Sequence, residues 1–94
     1  MMSAHRLRVH GQVQGVGFRY FVMKRAQELR VTGWVRNRTD GTVEILVWTD
    51  EVSLEVFLDI VRQGPRWGRV DQLDVSDDAS AGDPPPSFDI GPTR

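Results

Sequence analysis

Between a predicted strand and a predicted helix, the sequence reads Gly11-Gln12-Val13-Gln14-Gly15-Val16-Gly17-Phe18-Arg19. The run before this loop alternates in polarity like a strand, and apolar residues recur at helical spacing after it. Backbone N–H groups at a helix start have no intrahelical partner, and the helix dipole adds partial positive charge there. Glycines let an anion approach the backbone closely, and Arg19 adds a planar fork of donors. The pattern therefore predicts an anion site, with phosphate as the best candidate.

The loop does not match the two best-known phosphate motifs. It lacks the Gly-Lys-Ser/Thr that ends a P-loop, and it lacks the third glycine and the later acidic residue of the dinucleotide fingerprint at the required spacing. A glycine-rich turn that binds nothing is an alternative that this loop alone leaves open.

Composition excludes several classes of protein. With 94 residues, of which 39% are hydrophobic and 27% charged, we expect one globular domain. A net charge of −1 argues against a general nucleic-acid binder. The absence of cysteine excludes disulfides, thiolate zinc sites and cysteine nucleophiles. The sequence shows neither a membrane span nor the apolar core of a signal peptide. We therefore expect a cytoplasmic protein with no membrane or nucleic-acid partner.

The remaining chain predicts alternating strands and helices. The predicted elements are a strand over Arg6–Gln12, a helix over Phe18–Leu29, a hairpin of Thr32–Arg38 and Thr42–Trp48, a helix containing Leu54, Phe57, Leu58 and Val61 that stops at Gly64-Pro65, a weaker strand over Arg69–Val75 and a short edge strand over Ser87–Ile90. This order predicts an α+β, ferredoxin-like two-layer α/β sandwich (βαββαβ), with an antiparallel-rich sheet and two helices on one face. We expect the first and third strands to be central, parallel neighbours, and Asn37 to reach Arg19.

Two groups of polar residues allow more than one interpretation. Arg36 and Arg38 alternate onto the outer face of the hairpin, where a nucleic-acid patch is one interpretation. We favour a solvated sheet face whose charge Glu44 and other acids balance. Similarly, His5 and His10 have no nearby carboxylate pair, so we expect surface residues rather than metal ligands.

At this point two further motifs carry a resemblance. The glycine loop, followed by Gly33-Trp34-Val35-Arg36-Asn37 and then by Asp40-Gly41-Thr42-Val43-Glu44, resembles the acylphosphatase family. Gly64-Pro65 and Val70 fit the same pattern, and the resemblance extends from about Arg6 to Ile90. Because two motifs occur in the right order and at the right spacing, a glycine-rich loop that binds nothing is now a poor alternative.

The resemblance implies a hydrolase that cleaves the carboxyl-phosphate bond of small acyl phosphates. It implies metal-independent attack by an oriented water, no cofactor, and inorganic phosphate as product and competitor; we expect a monomer. The implied catalytic residues are Arg19 and Asn37. The implied phosphate-binding loop consists of Gln14, Gly15, Val16, Gly17 and Phe18. Because the leaving carboxylate has a conjugate acid with a pKa near ~4, such a site needs no general acid.

Three alternatives and two departures accompany the resemblance. An RNA-binding module is one alternative, but the strand Val43–Trp48 lacks the aromatic pattern of that module. A non-catalytic anion-binding domain is another. A detached domain of larger hydrogenase-maturation proteins is the third, although the length and the lack of cysteine favour a stand-alone enzyme.

Arg30 replaces the usual glycine after the first helix, where a left-handed conformation would cost ~1 kcal/mol. The region Val47–Asp50 also lacks a glycine common in the family.

Overall fold

The computed structural model describes residues 2–94 of the chain. Its elements are β1 (Ser3–Gln12), α1 (Phe18–Leu29), β2 (Thr32–Asn37), β3 (Val43–Thr49), α2 (Glu51–Gln63), β4 (Arg69–Asp77) and β5 (Phe88–Ile90). The strands form one five-stranded sheet in the order β4-β1-β3-β2-β5. The predicted ferredoxin-like α+β sandwich is confirmed, with two helices packed on a mostly antiparallel sheet.

The expectation of a parallel pair at the centre of the sheet is wrong. β1 and β3 are neighbours, but they are antiparallel, with Leu7 opposite Ile45 and Val9 opposite Val43. β3 follows β2 through a hairpin, so it runs opposite to β2, which in turn runs parallel to β1. The parallel pair is instead β2 with β5 at the sheet edge.

One main core lies between the helices and the inner face of the sheet. Its buried members are Leu7, Val9, Val13, Phe18, Val22, Ala26, Val31, Val35, Val43, Ile45, Val47, Leu54, Phe57, Leu58, Val61 and Phe88. The predicted helical stripes and strand alternation therefore identify the core faces correctly. Phe88 of β5 completes this core, with its ring edge-on to Phe57 at 6.2 Å between ring centroids.

The helix ends follow local chemistry. The carboxylate of Asp50 caps α2 by accepting from the Ser53 N–H at 2.7 Å, and Gly64 ends that helix at φ 65°. α1 ends at Arg30, which adopts the left-handed conformation with φ 60°. Its N–H donates to helix carbonyl oxygens as a glycine cap would. Arg30 therefore bears the conformational cost that the sequence predicted.

The outer face of the sheet is built around Glu44, whose side chain is only 4% exposed. Arg6, Arg8, Arg36 and Arg38 all form salt bridges with this carboxylate. Burial opposes its ionisation, but hydrogen bonds from Arg36 and Arg6 outweigh burial and hold the pKa of Glu44 below its usual value. The prediction that acids balance this face is right, whereas the prediction of a merely solvated face is wrong for Glu44.

The two histidines differ in environment. His10 lies at the surface of β1 as expected, with Nε2 3.0 Å from an Asp74 oxygen. His5 is buried, and its Nδ1 lies 3.0 Å from a carboxylate oxygen of Asp77. The expectation of a surface residue is wrong for His5, because β4 extends to Asp77 and pairs beside it.

No helix within residues 2–94 is long and apolar enough to cross a membrane.

Candidate active site

The loop between β1 and α1 is shaped by two glycines with left-handed backbones. Gly15 has φ 73° and Gly17 has φ 78°, and each has open space where a Cβ atom would lie. Positive φ alone therefore selects glycine at both positions. Successive left-handed turns of this kind direct backbone N–H groups into a shared concavity that suits an anion.

The N-terminus of α1 is left open to such an anion. Gly17 occupies the cap position without a side-chain cap, and the first turn contains no acidic residue. The first intrahelical hydrogen bond runs from the Phe21 N–H to the Gly17 oxygen at 3.0 Å. The N–H groups of Phe18, Arg19 and Tyr20 therefore precede the first helical bond, and the dipole adds positive charge beside them.

Arg19 and Asn37 line the same pocket, as the topology predicted. The pocket has a volume of about 260 Å³ and is lined by Val13, Gly15, Gly17, Phe18, Arg19, Tyr20, Asn37 and Ile90. Arg19 forms no salt bridge with any residue from 2 to 94, whereas the arginines around Glu44 are all paired. The guanidinium of Arg19 is thus a cation without an acidic partner in the described chain, and Arg19 lies in the first turn of α1.

Asn37 is the last residue of β2, and its side-chain oxygen Oδ1 is buried without a hydrogen-bond partner among residues 2–94. Buried polar groups are almost always paired, and an unpaired acceptor costs ~1–3 kcal/mol. Its main-chain oxygen is already used, since it accepts from the Arg94 N–H at 3.0 Å. Oδ1 itself has almost no exposed surface, but the Asn37 side chain lines the pocket, so its amide group lies where it can contact a bound molecule.

Gln14 and Val16 belong to the predicted phosphate loop but do not line this pocket. The side-chain Nε2 of Gln14 donates to the main-chain oxygens of Arg38 and Thr42, each at 2.8 Å. These carbonyls lie at the two ends of the loop that joins β2 to β3. The Gln14 side chain is thus committed to the protein itself.

Three pocket residues were not predicted: Val13, Tyr20 and Ile90. Tyr20 follows Arg19 directly on α1, and its position in the first turn is a signal that was available. Strand alternation places Ile90 on the same face of β5 as the buried Phe88. This alternation could have shown that Ile90 lies on the side of the sheet that faces the helices. No group of three potential metal-ligating side chains occurs in the described part of the chain.

Comparison with known proteins gives an independent result. The acylphosphatase family model matches residues 5–90. An acylphosphatase of Moorella thermoacetica is 49% identical over 75 residues, which cover 80% of each chain. The crystal structure of acylphosphatase from Bacillus subtilis has a TM-score of 0.89 at 40% identity, covering 97% of this chain and 99% of that one. Full-length HypF, in a phosphate- and nucleotide-bound form, has a TM-score of 0.87 at 28% identity, but only 12% of that chain is covered. The matched region contains the glycine loop, Arg19 and Asn37, and the chain belongs to the acylphosphatase family.

Proposed function

We propose that this protein is an acylphosphatase, which hydrolyses acyl phosphates to a carboxylate and inorganic phosphate. The observation that carries the proposal is one pocket, which is lined by an uncapped helix N-terminus, by Arg19 and by the side chain of Asn37. The relatives named acylphosphatase favour this enzymatic function over a non-catalytic phosphate-binding or RNA-binding module.

In the proposed complex the loop binds the phosphoryl group. Arg19 donates two parallel hydrogen bonds to phosphoryl oxygens, and N–H groups from Gly15 to Phe18 donate to the remaining charge. These donors stabilise the charge that spreads over the equatorial oxygens as phosphoryl transfer proceeds.

Asn37 provides the second half of the mechanism. Its side-chain amide hydrogen-bonds a water molecule and holds the water's oxygen in line with the phosphorus. As the new P–O bond forms, the bond between phosphorus and the acyl oxygen breaks, and its electron pair leaves with the carboxylate. That carboxylate departs without protonation because its conjugate acid has a pKa of about 4. The proton of the attacking water passes to a phosphoryl oxygen, which gives inorganic phosphate.

The proposal extends to how the protein works in the cell. We take residues 1–94 as one acylphosphatase domain, which the match over residues 5–90 supports. We also propose a cytoplasmic monomer that uses no metal or cofactor. The absence of cysteine suits a reducing compartment. Both proposed catalytic residues line one pocket of this chain.

The deciding experiment is hydrolysis of benzoyl phosphate with and without a chelator. We expect rapid hydrolysis that exhaustive treatment with EDTA leaves unchanged, and competitive inhibition by inorganic phosphate. A protein that binds phosphate without hydrolysing the substrate would overturn the enzymatic proposal. Loss of activity in EDTA, restored by magnesium or zinc, would overturn the metal-independent mechanism alone.

A further inference from the structure

The pocket has an apolar side that the proposed chemistry does not use. Tyr20 on α1 and Ile90 on β5 both line it, and both are large apolar side chains left open to solvent. Tyr20 is 60% exposed and Ile90 is 40% exposed. Two elements that are far apart in sequence thus contribute an exposed apolar group to one site.

Core packing does not explain either side chain. Phe18, in the same helical turn as Tyr20, is buried at 1% exposure, and so is Phe88 on the same face of β5 as Ile90. The core is therefore complete beneath the pocket without Tyr20 and Ile90. Exposed apolar side chains that converge on a concave polar site are typical of a ligand-binding surface.

The substrate supplies an occupant for this surface. If the loop and Arg19 hold the phosphoryl group, the acyl group is attached through one bridging oxygen and must lie next to the phosphoryl site. The lining of the pocket includes Tyr20 and Ile90, so an acyl group attached to a phosphoryl group at Arg19 has these side chains as neighbours. We propose that Tyr20 and Ile90 form a subsite for the acyl group, which selects neutral apolar acyl phosphates, including aromatic ones; this inference rests on the proposed function.

The charges of the pocket point in the same direction. Arg19 is the sole cationic side chain among the described residues that line it, and in the proposed complex it is occupied by the phosphoryl group. A second carboxylate on the acyl group would find no cation and would lose its hydration against Tyr20 and Ile90. Acyl phosphates of dicarboxylic acids are therefore poor substrates.

Substrate comparison tests the subsite. We would measure kcat/KM for benzoyl, acetyl and succinyl phosphate in the wild type, Tyr20→Phe, Tyr20→Ala and Ile90→Thr. Adding or removing one methylene group in an apolar pocket changes kcat/KM by about 10-fold or more. Because this subsite is open to solvent on one side, we expect effects at the lower end of that range. We expect Tyr20→Ala and Ile90→Thr each to lower the benzoyl-to-acetyl ratio by about 5–10-fold. Tyr20→Phe should keep the wild-type ratio, and succinyl phosphate should be the poorest substrate of the wild type.

The intrinsic reactivities of the substrates cancel, because each variant is compared with the wild type on the same ratio. Val52→Ser is the matched control, since Val52 is 78% exposed on α2 and lies outside the pocket. Inhibition by inorganic phosphate should stay within about twofold in every variant, because the phosphoryl site is untouched. A wild type that hydrolyses all three substrates, with an unchanged benzoyl-to-acetyl ratio in Tyr20→Ala and Ile90→Thr, would overturn the subsite and leave the proposed function intact. A wild type that hydrolyses none of them would overturn both.

Discussion

The side chain of Gln14 is bound to the main-chain oxygen of Arg38, which lies 2.8 Å from Nε2. The same nitrogen donates to Thr42, so one amide group connects the phosphate loop to both ends of the β2–β3 hairpin. Asn37 immediately precedes Arg38, and Arg19 lies five residues beyond Gln14. Gln14 thus links the two segments that carry the proposed catalytic residues, and we assign it a positioning role.

Gln14→Met should misplace the site without removing a group that contacts substrate. The variant keeps the length of the side chain but loses both hydrogen bonds, and we expect kcat to fall about 10–100-fold, since small misplacements are costly in such sites. The free energy of unfolding, measured by thermal denaturation, should fall by ~1–3 kcal/mol, because two carbonyl oxygens each lose a hydrogen-bond donor. Gln63→Met, at the exposed end of α2, is the control and should change neither. Normal kcat in a destabilised Gln14→Met would reduce Gln14 to a structural role.

Arg19→Lys should weaken phosphate binding despite keeping the charge. A lysine cannot reproduce the planar fork that matches two phosphoryl oxygens. We expect substrate binding and turnover to fall steeply, and inorganic phosphate to become a poor inhibitor. Arg66→Lys, at an exposed position outside the pocket, should behave as wild type. Unchanged phosphate inhibition in Arg19→Lys would place the anion elsewhere.

Asn37→Ala should separate turnover from binding. Asn37 has no charge, so phosphate inhibition should stay within a few-fold of wild type, whereas loss of the oriented water should lower kcat by ~10²–10³. Stability should not fall, because the substitution removes a buried oxygen that has no partner. A less stable protein with near-normal kcat would make Asn37 a structural residue at the end of β2.

Arg30→Gly should stabilise the fold. Arg30 holds φ at 60°, a conformation that costs a non-glycine residue ~1 kcal/mol, and the gain is partly offset by the greater freedom of glycine in the unfolded chain. We expect an increase of up to ~0.5 kcal/mol in the free energy of unfolding, measured by urea denaturation. Glu28→Gly, within α1, should instead lower it by ~1 kcal/mol. A loss of stability in Arg30→Gly would show that contacts of the arginine side chain outweigh its backbone cost.

Glu44 should make stability depend on pH in the acid range. The pKa of Glu44 is lower in the folded protein, so the folded state binds fewer protons than the unfolded chain. Its stabilisation is therefore present above its ordinary pKa of 4.5 and is lost as pH falls through the lowered value. Glu44→Gln should cost ~1–3 kcal/mol at pH 7, because four half-buried arginines lose a shared carboxylate while Arg6 and Arg8 keep Asp78 and Asp40. The difference from wild type should shrink in strongly acidic solution; Glu55→Gln, on the exposed side of α2, is the control.

The sequence predicted those features that depend on local pattern. The apolar stripe from Leu54 to Val61 and the left-handed backbone conformation of Arg30 could be inferred from the sequence, because helical periodicity and cap chemistry act over a few residues. Strand direction at the sheet centre was mispredicted, although the Asp40-Gly41 hairpin already implied that β3 reverses against β2.

The site was predictable to a similar extent. The predicted topology placed Arg19 and Asn37 near each other, and both line one pocket. The contacts of Gln14 with Arg38 and the position of Ile90 depend on which strands become neighbours, and sequence spacing carries no such information. The burial of His5 beside Asp77 could not be predicted for the same reason, because β1 and β4 pair although they are far apart in sequence.

Phe88 sets the order in which the protein can be completed during synthesis. Its ring lies against Phe57, and its main-chain oxygen accepts from the Gln27 side chain at 3.2 Å, yet it is translated well after the rest of the described core. The apolar face around Phe57 therefore stays uncovered during the interval before β5 has left the ribosome. The nascent chain should be most vulnerable to aggregation, and most dependent on chaperones, during that interval.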